Sequence, residues 1–87
     1  MAEVHRTKPR VIHTAQALVD EVAEIPELPR RGQNAMATSF TRYAASAVNI
    51  LLAAARSGAT CVHAGTVGTG HNADLIRETL AAESVAI

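Results

Sequence analysis

One stretch constrains this chain more than any other. Val48, Leu51, Leu52 and Ala55 fall at i, i+3, i+4 and i+7, the spacing of a single apolar helix face. Gly58 follows Arg56-Ser57, where a glycine ends a helix because it tolerates the left-handed backbone. Two residues later Thr60 to Ala64 reads as a buried strand. A helix that feeds directly into an apolar strand belongs in a layered α/β arrangement, with the helix laid on a parallel sheet.

The rest of the chain extends this pattern. Arg10-Val11-Ile12-His13-Thr14 is a short β-branched stretch after Pro9 and suits a first strand. Between about Thr14 and Ile25 the sequence supports two readings. Leu18, Val22 and Ile25 fit a helix with Thr14 as N-cap and Pro26 beyond, yet Val19, Val22 and Ile25 equally suit an extended strand. Pro26 to Asn34, with two prolines, Gly32 and the Arg30-Arg31 pair, reads as an exposed turn, and Ala35 to Tyr43 as a short strand. Ser46 is placed to cap the helix by accepting the amide of Asn49. Gly65 to Gly70 is a flexible connection, and a second helix runs from Asn72 or Ala73 to Ala82, with Ala73, Ile76 and Leu80 on one stripe and Asp74 in its first turn. Val85-Ala86-Ile87 begins another β-branched strand. A sheet of so few strands leaves an open edge and uncovered faces, so the chain reads as the front of something longer.

Composition excludes several functions. With 87 residues there is room for one small domain, or part of a larger one. One Phe, one Tyr and no Trp leave a core of Ala, Val, Leu and Ile. Eight basic residues against eight acidic ones give no net charge, so there is no electrostatic footprint for nucleic acid. The single cysteine, Cys61, rules out an internal disulfide and a multi-cysteine zinc site, and its apolar neighbours suit a buried strand thiol. His5, His13, His63 and His71 lack metal-ligand spacing, and His13 and His63 read as strand residues. No apolar run is long enough to span a bilayer, Met1 to Arg10 has no signal-peptide core, and a cytoplasmic location is the expectation.

Few residues invite chemistry. Gly65-Thr66-Val67-Gly68-Thr69-Gly70 stands between strand and helix, where backbone amides can meet an anion. It matches neither the dinucleotide fingerprint nor the P-loop, and a tight turn is its plainer reading. Asn49, polar in the first turn of an apolar helix, either caps or faces solvent, or points toward the strand ends where α/β proteins bind ligands. Asp20 is either solvated beside Glu21 and Glu24 or a ligand contact.

Four segments in order resemble the ribokinase-like (PfkB) carbohydrate kinases. Arg10 to Asp20 resembles the family's opening strand, which ends in an aspartate. Leu28-Pro29-Arg30-Arg31-Gly32 is similar to its Leu-Pro-x-x-Gly turn, and Asn49 through Ala53-Ala54-Ala55-Arg56-Ser57-Gly58-Ala59 to its Asn-x-(Ala-rich)-Arg-x-Gly-Ala helix. Gly65-Thr66-Val67-Gly68, then Leu80 to Val85, resembles its Gly-x-Val-Gly strand end and following helix. The resemblance covers residues 10–87, after a loose lead-in over 1–9. It implies an α/β, Rossmann-like parallel sheet with a small β-lid, the lid strands at about 17–43 and βα units at about 44–87. It assigns the undecided stretch to lid strands, which in the family often form dimer contacts.

The resemblance also implies a function: transfer of phosphate from ATP to a hydroxyl of a sugar or nucleoside. Asp20 and Asn49, with backbone approach at Ala44 and Ala45, would meet the substrate. ATP, Mg2+ and the catalytic base would belong to a C-terminal half that carries a Gly-Ala-Gly-Asp motif. No residue of this chain is catalytic on that reading, and alone it is expected to be inactive. The chain departs from the family at glycines: Ala44-Ala45-Ser46 replaces a Gly-Gly pair, Ala15 and Ala73 replace single glycines, and Ser84 precedes Val85 where glycine is usual. Positive φ at such positions would strain the backbone. The alternative is a non-catalytic remnant, or an α/β module that oligomerises and binds no sugar.

Overall fold

A computed structural model describes residues 7–87; most of the lead-in expected over 1–9 lies outside them. The elements are β1 (Arg10–His13), β2 (Ala17–Glu24), β3 (Ser39–Ser46), α1 (Ala47–Arg56), β4 (Thr60–His63) and α2 (His71–Ala82). The fold is mixed α/β with two sheets. β1 lies parallel to β4, while β2 and β3 form a separate antiparallel ribbon. The undecided stretch is therefore strand. Its helical spacing is overridden because Val19 and Val22 have cross-strand partners in Ala44 and Thr41, and pairing of β-branched side chains outweighs a three-point periodicity.

β4 is the central strand. On one side its register with β1 runs Arg10↔Thr60 through His13↔His63, and Thr60 N–H to Pro9 O and Ala64 N–H to His13 O extend the ladder at 2.8 and 2.9 Å. On the other side the strand expected at 85–87 is reduced to one parallel bridge, Val62↔Ala86. There His63 N–H donates to Ala86 O at 2.8 Å and Ala86 N–H to Cys61 O at 3.1 Å. Alternation sends Val11 and Cys61 toward the helices, whereas Ile12, at 59% exposure, faces the uncovered side.

The core is one aliphatic layer between that sheet and the helices. Val48 and Leu51 from α1, Cys61 from β4, Ile76 and Leu80 from α2, and Val85 are all buried and mutually packed. Both helices end in the same motif. After α1, Gly58 N–H donates to Ala55 O and Ala59 N–H to Ala54 O, with Gly58 at φ +101. After α2, Ser84 N–H donates to Ala81 O and Val85 N–H to Leu80 O, with Ser84 at φ +57. This is the Schellman arrangement, in which the positive-φ residue is usually glycine. Arg56 donates from Nε at 2.9 Å and from Nη2 at 2.7 Å to the single oxygen Oε1 of Glu83, which ties the two helix ends together.

The ribbon stands apart from this core. The radius of gyration is 18.4 Å, against about 12 Å for a compact domain of this length. Residues 20–34 are exposed throughout. At the far end residues 25–38 form a loop whose turn places Gly32 at φ +78 and closes with Gln33 N–H to Arg30 O at 2.9 Å. That is the geometry of a type II turn.

The two sides of the sheet differ in what they carry. Leu80→Ala, which empties a fully buried position, is expected to cost about 2–5 kcal/mol. Ile12→Ala, on the open face, should cost under about 1 kcal/mol, less than the full burial value of such a side chain. Urea unfolding of both variants checks the contrast.

Candidate functional site

The candidate site lies where the C-terminal ends of β1 and β4 meet the start of α1. In open α/β sheets this end of the strands is where ligands bind. The ribbon joins the body at this same corner. Its last pair is Ala17↔Ser46, α1 begins at the next residue, and Ala47 N–H donates to Gln16 O at 3.0 Å.

Ser46 is the corner residue, and it does not cap α1. It makes no side-chain cap hydrogen bond, and it adopts φ 61 and ψ −121, the angles of the first central position of a type II′ turn, which glycine normally fills. The expectation of a serine cap fails because capping needs extended dihedrals at the cap residue, and the sharp change from ribbon to helix imposes others. Ala45, Ala47 and Val48, at 7%, 1% and 0% exposure, pack this backbone in from either side.

The four residues expected to meet a ligand are divided between the faces of the ribbon. Opposed residues of an antiparallel pair share a face and successive pairs alternate. The pairs Val19↔Ala44 and Glu21↔Arg42 therefore lie on one face, and Leu18↔Ala45 and Asp20↔Tyr43 on the other. Val19 and Ala44 pack against the core. Ala45 thus shares a face with Asp20, and Ala44 does not. Asp20 is exposed, three pairs out from Ala17↔Ser46, about 10 Å at strand spacing. Asn49 is exposed in the first turn of α1, three residues after Ser46.

The glycine-rich connection has a defined shape. A Cβ on Gly65 would lie 2.7 Å from His63 Cε1, 2.9 Å from His63 Nε2 and 3.2 Å from Ala15 O, so only glycine fits. Arg77 Nη2 donates to Gly68 O at 2.6 Å and Val67 O at 3.2 Å, and Gly70, at φ +109, precedes α2. Asp74 occupies the first turn of α2, where it already complements the helix dipole. His13 Nδ1 accepts the Ala15 N–H at 3.1 Å. His63 is 1% exposed, and neither ring nitrogen has a protein partner among the described residues.

Sequence reading placed His63 in a buried strand but missed its unpartnered ring nitrogens, the clamp of Arg77 on the loop, and Arg42, whose Nη1 donates to Asn72 Oδ1 across to α2. Only their polar type amid an apolar pattern signals them. Cys61 is buried in β4 as expected. No group of three or more metal-ligating side chains occurs among the described residues.

The fold is similar to that of a solved protein. A crystal structure of a "putative ribokinase" from Agrobacterium tumefaciens superposes with a TM-score of 0.72 at 17% identity, over 93% of this chain and 27% of that one. The chain thus has a ribokinase-like fold and spans about a quarter of that structure's length. No family model and no curated protein matches it.

The Ser46 corner yields a measurable consequence. Ser46→Gly should relieve about 1–3 kcal/mol of backbone strain and give back about 0.5–1 kcal/mol through the freer unfolded chain. A net gain of about 1 kcal/mol is expected, seen as a midpoint rise of about 4–8 °C in thermal unfolding.

Proposed function

Starting from a ribokinase-like fold, we propose that this chain is the N-terminal, sugar-facing part of an ATP-dependent carbohydrate kinase, its substrate a sugar or nucleoside. The observation that carries this reading is the corner at Ser46, where ribbon, α1 start and strand ends converge on the fold just described. Asp20 offers two strong acceptors, and Asn49 offers an acceptor and two donors, a set suited to adjacent hydroxyls. Ala45, on the face of Asp20, adds a side chain of only one methyl group to the backbone there. The ribbon acts as a lid that excludes water when it closes over the sugar.

ATP and Mg2+ belong to the remainder of such an enzyme. Phosphoryl transfer needs charge stabilisation at the γ-phosphate and a base for the attacking hydroxyl. The residues present do not fit that role: the Gly65–Gly70 loop carries no lysine, and Asp74 in the first turn of α2 repels a phosphate. No catalytic step is therefore drawn through this chain, whose part is to bind and orient the sugar. No described helix is long and apolar enough to cross a membrane, and a cytoplasmic enzyme is the setting this reading implies.

Exposed apolar side chains favour a second reading. Tyr43 at 55% and Val22 at 44% exposure share one face of the ribbon, with Phe40 at 60% on the other, exposed apolar surface suited to a homodimer through the lid strands. Such contact accompanies a kinase, or it is the whole function of a non-catalytic remnant.

Calorimetric titration with pentoses, hexoses and nucleosides separates these. Sugar binding that weakens about 10- to 100-fold in Asp20→Ala or Asn49→Ala, the loss of a charge-assisted hydrogen bond, supports the kinase segment. Both positions are exposed, so unfolding midpoints should stay close to that of the parent. Absence of binding, together with dimerisation in sedimentation, supports the remnant.

A further inference from the structure

The ribbon is held to the body at its base and at one point farther out. At the base, Val19 and Ala44 pack on the core. One pair outward on the same face, Arg42 stands opposite Glu21 and donates from Nη1 to Asn72 Oδ1 at the start of α2. Among the described residues this is the one side-chain hydrogen bond that joins ribbon to body. Beyond it the ribbon is exposed, and a two-stranded ribbon by itself is only marginally stable. Packing at the base sets where the ribbon leaves the body, and this contact is the one that holds its next turn of strand against α2.

Asn72 is also a sensitive point on the body. It follows Gly68-Thr69-Gly70, where Gly68 and Gly70 have open space about them. Arg77 grips the same loop from within α2 through the carbonyls of Val67 and Gly68. The glycine-rich loop and the first turn of α2 are thus held by two arginines, one on the body and one on the ribbon. We infer that the Arg42–Asn72 contact is a latch coupling the ribbon to the glycine-rich loop. Closed, it holds the ribbon down beside α2. Open, it frees the ribbon to pivot on its two connections, residues 14–16 and the Ser46 corner, and loosens the loop with it.

The latch rests on geometry and does not require the chain to bind sugar, so it stands or falls apart from the kinase reading. Amide hydrogen exchange on the 87-residue chain tests it. Arg42→Gln and Asn72→Ala should each speed exchange in Ala17–Glu24 and Ser39–Ser46 by roughly three- to ten-fold, as loss of one hydrogen bond permits. Thr60–His63 should be unchanged. The double variant should be no faster than the faster single one, because both remove the same contact. Asn72→Asp, which offers Arg42 a carboxylate, should slow ribbon exchange, and that slowing should vanish in the presence of Arg42→Gln. The latch is overturned if the ribbon is unaffected by either single variant, if their effects add, or if β4 loosens to the same extent as the ribbon.

Discussion

Strand β4 is the constraint on which the rest of this structure depends. Among the described residues it alone is paired along both edges, with β1 on one side and the bridge at Ala86 on the other. Cys61 lies in the single aliphatic layer with Val48, Leu51, Ile76 and Leu80, so both helices are anchored to one short strand. With no tryptophan and a single phenylalanine, the layer is stabilised by close contact among small aliphatic side chains and not by a few large anchors. Such a layer tolerates little loss of volume. It also covers only one face of the sheet, and the other, with Ile12 at 59% exposure, contributes little.

The same strand fixes the candidate site from below. Its last residue, His63, lies against Gly65 and leaves no room for a side chain there. Ala15 O presses on the same point, and the carbonyl of its neighbour Gln16 accepts the first amide of α1. A buried imidazole without a protein partner is costly, yet here it sits where three connections meet. The loop after β4, the turn after β1 and the start of α1 therefore take their positions from one another, and a change at any of them is felt at the others.

Much of this was legible in sequence because the signals were local. The α1 pattern, Gly58 as its terminator, the β4 strand and α2 each rest on spacing that one element satisfies by itself. The stretch from Thr14 to Ile25 was undecidable from periodicity, since its partner lies beyond a long loop and pairing is non-local. It was settled as strand only by the ribokinase-like resemblance. Ser46 misled for a related reason. Serine before an apolar helix run is a good cap when the chain enters extended, but the entry here is a sharp turn out of the ribbon, which no neighbouring residue announces. The division of Ala44 from Ala45 and Asp20 depends on register, and the Arg42–Asn72 contact joins positions thirty residues apart. Neither has a local signature.

Ser46 and Ser84 together show what preserves the corner. Ser84 stands where the resemblance implies glycine, Ser46 ends the segment that replaces the family's Gly-Gly pair, and both have positive φ. At Ser84 the Schellman bonds and the buried pair Leu80 and Val85 hold the turn. At Ser46, Ala45 and Ala47 are buried on either side and Ala47 is bonded to Gln16. Packing on both flanks over-determines a strained residue, the condition under which such strain persists. The corner is thus defined by backbone shape and by the elements that hold it, and the serine hydroxyl makes no cap hydrogen bond there.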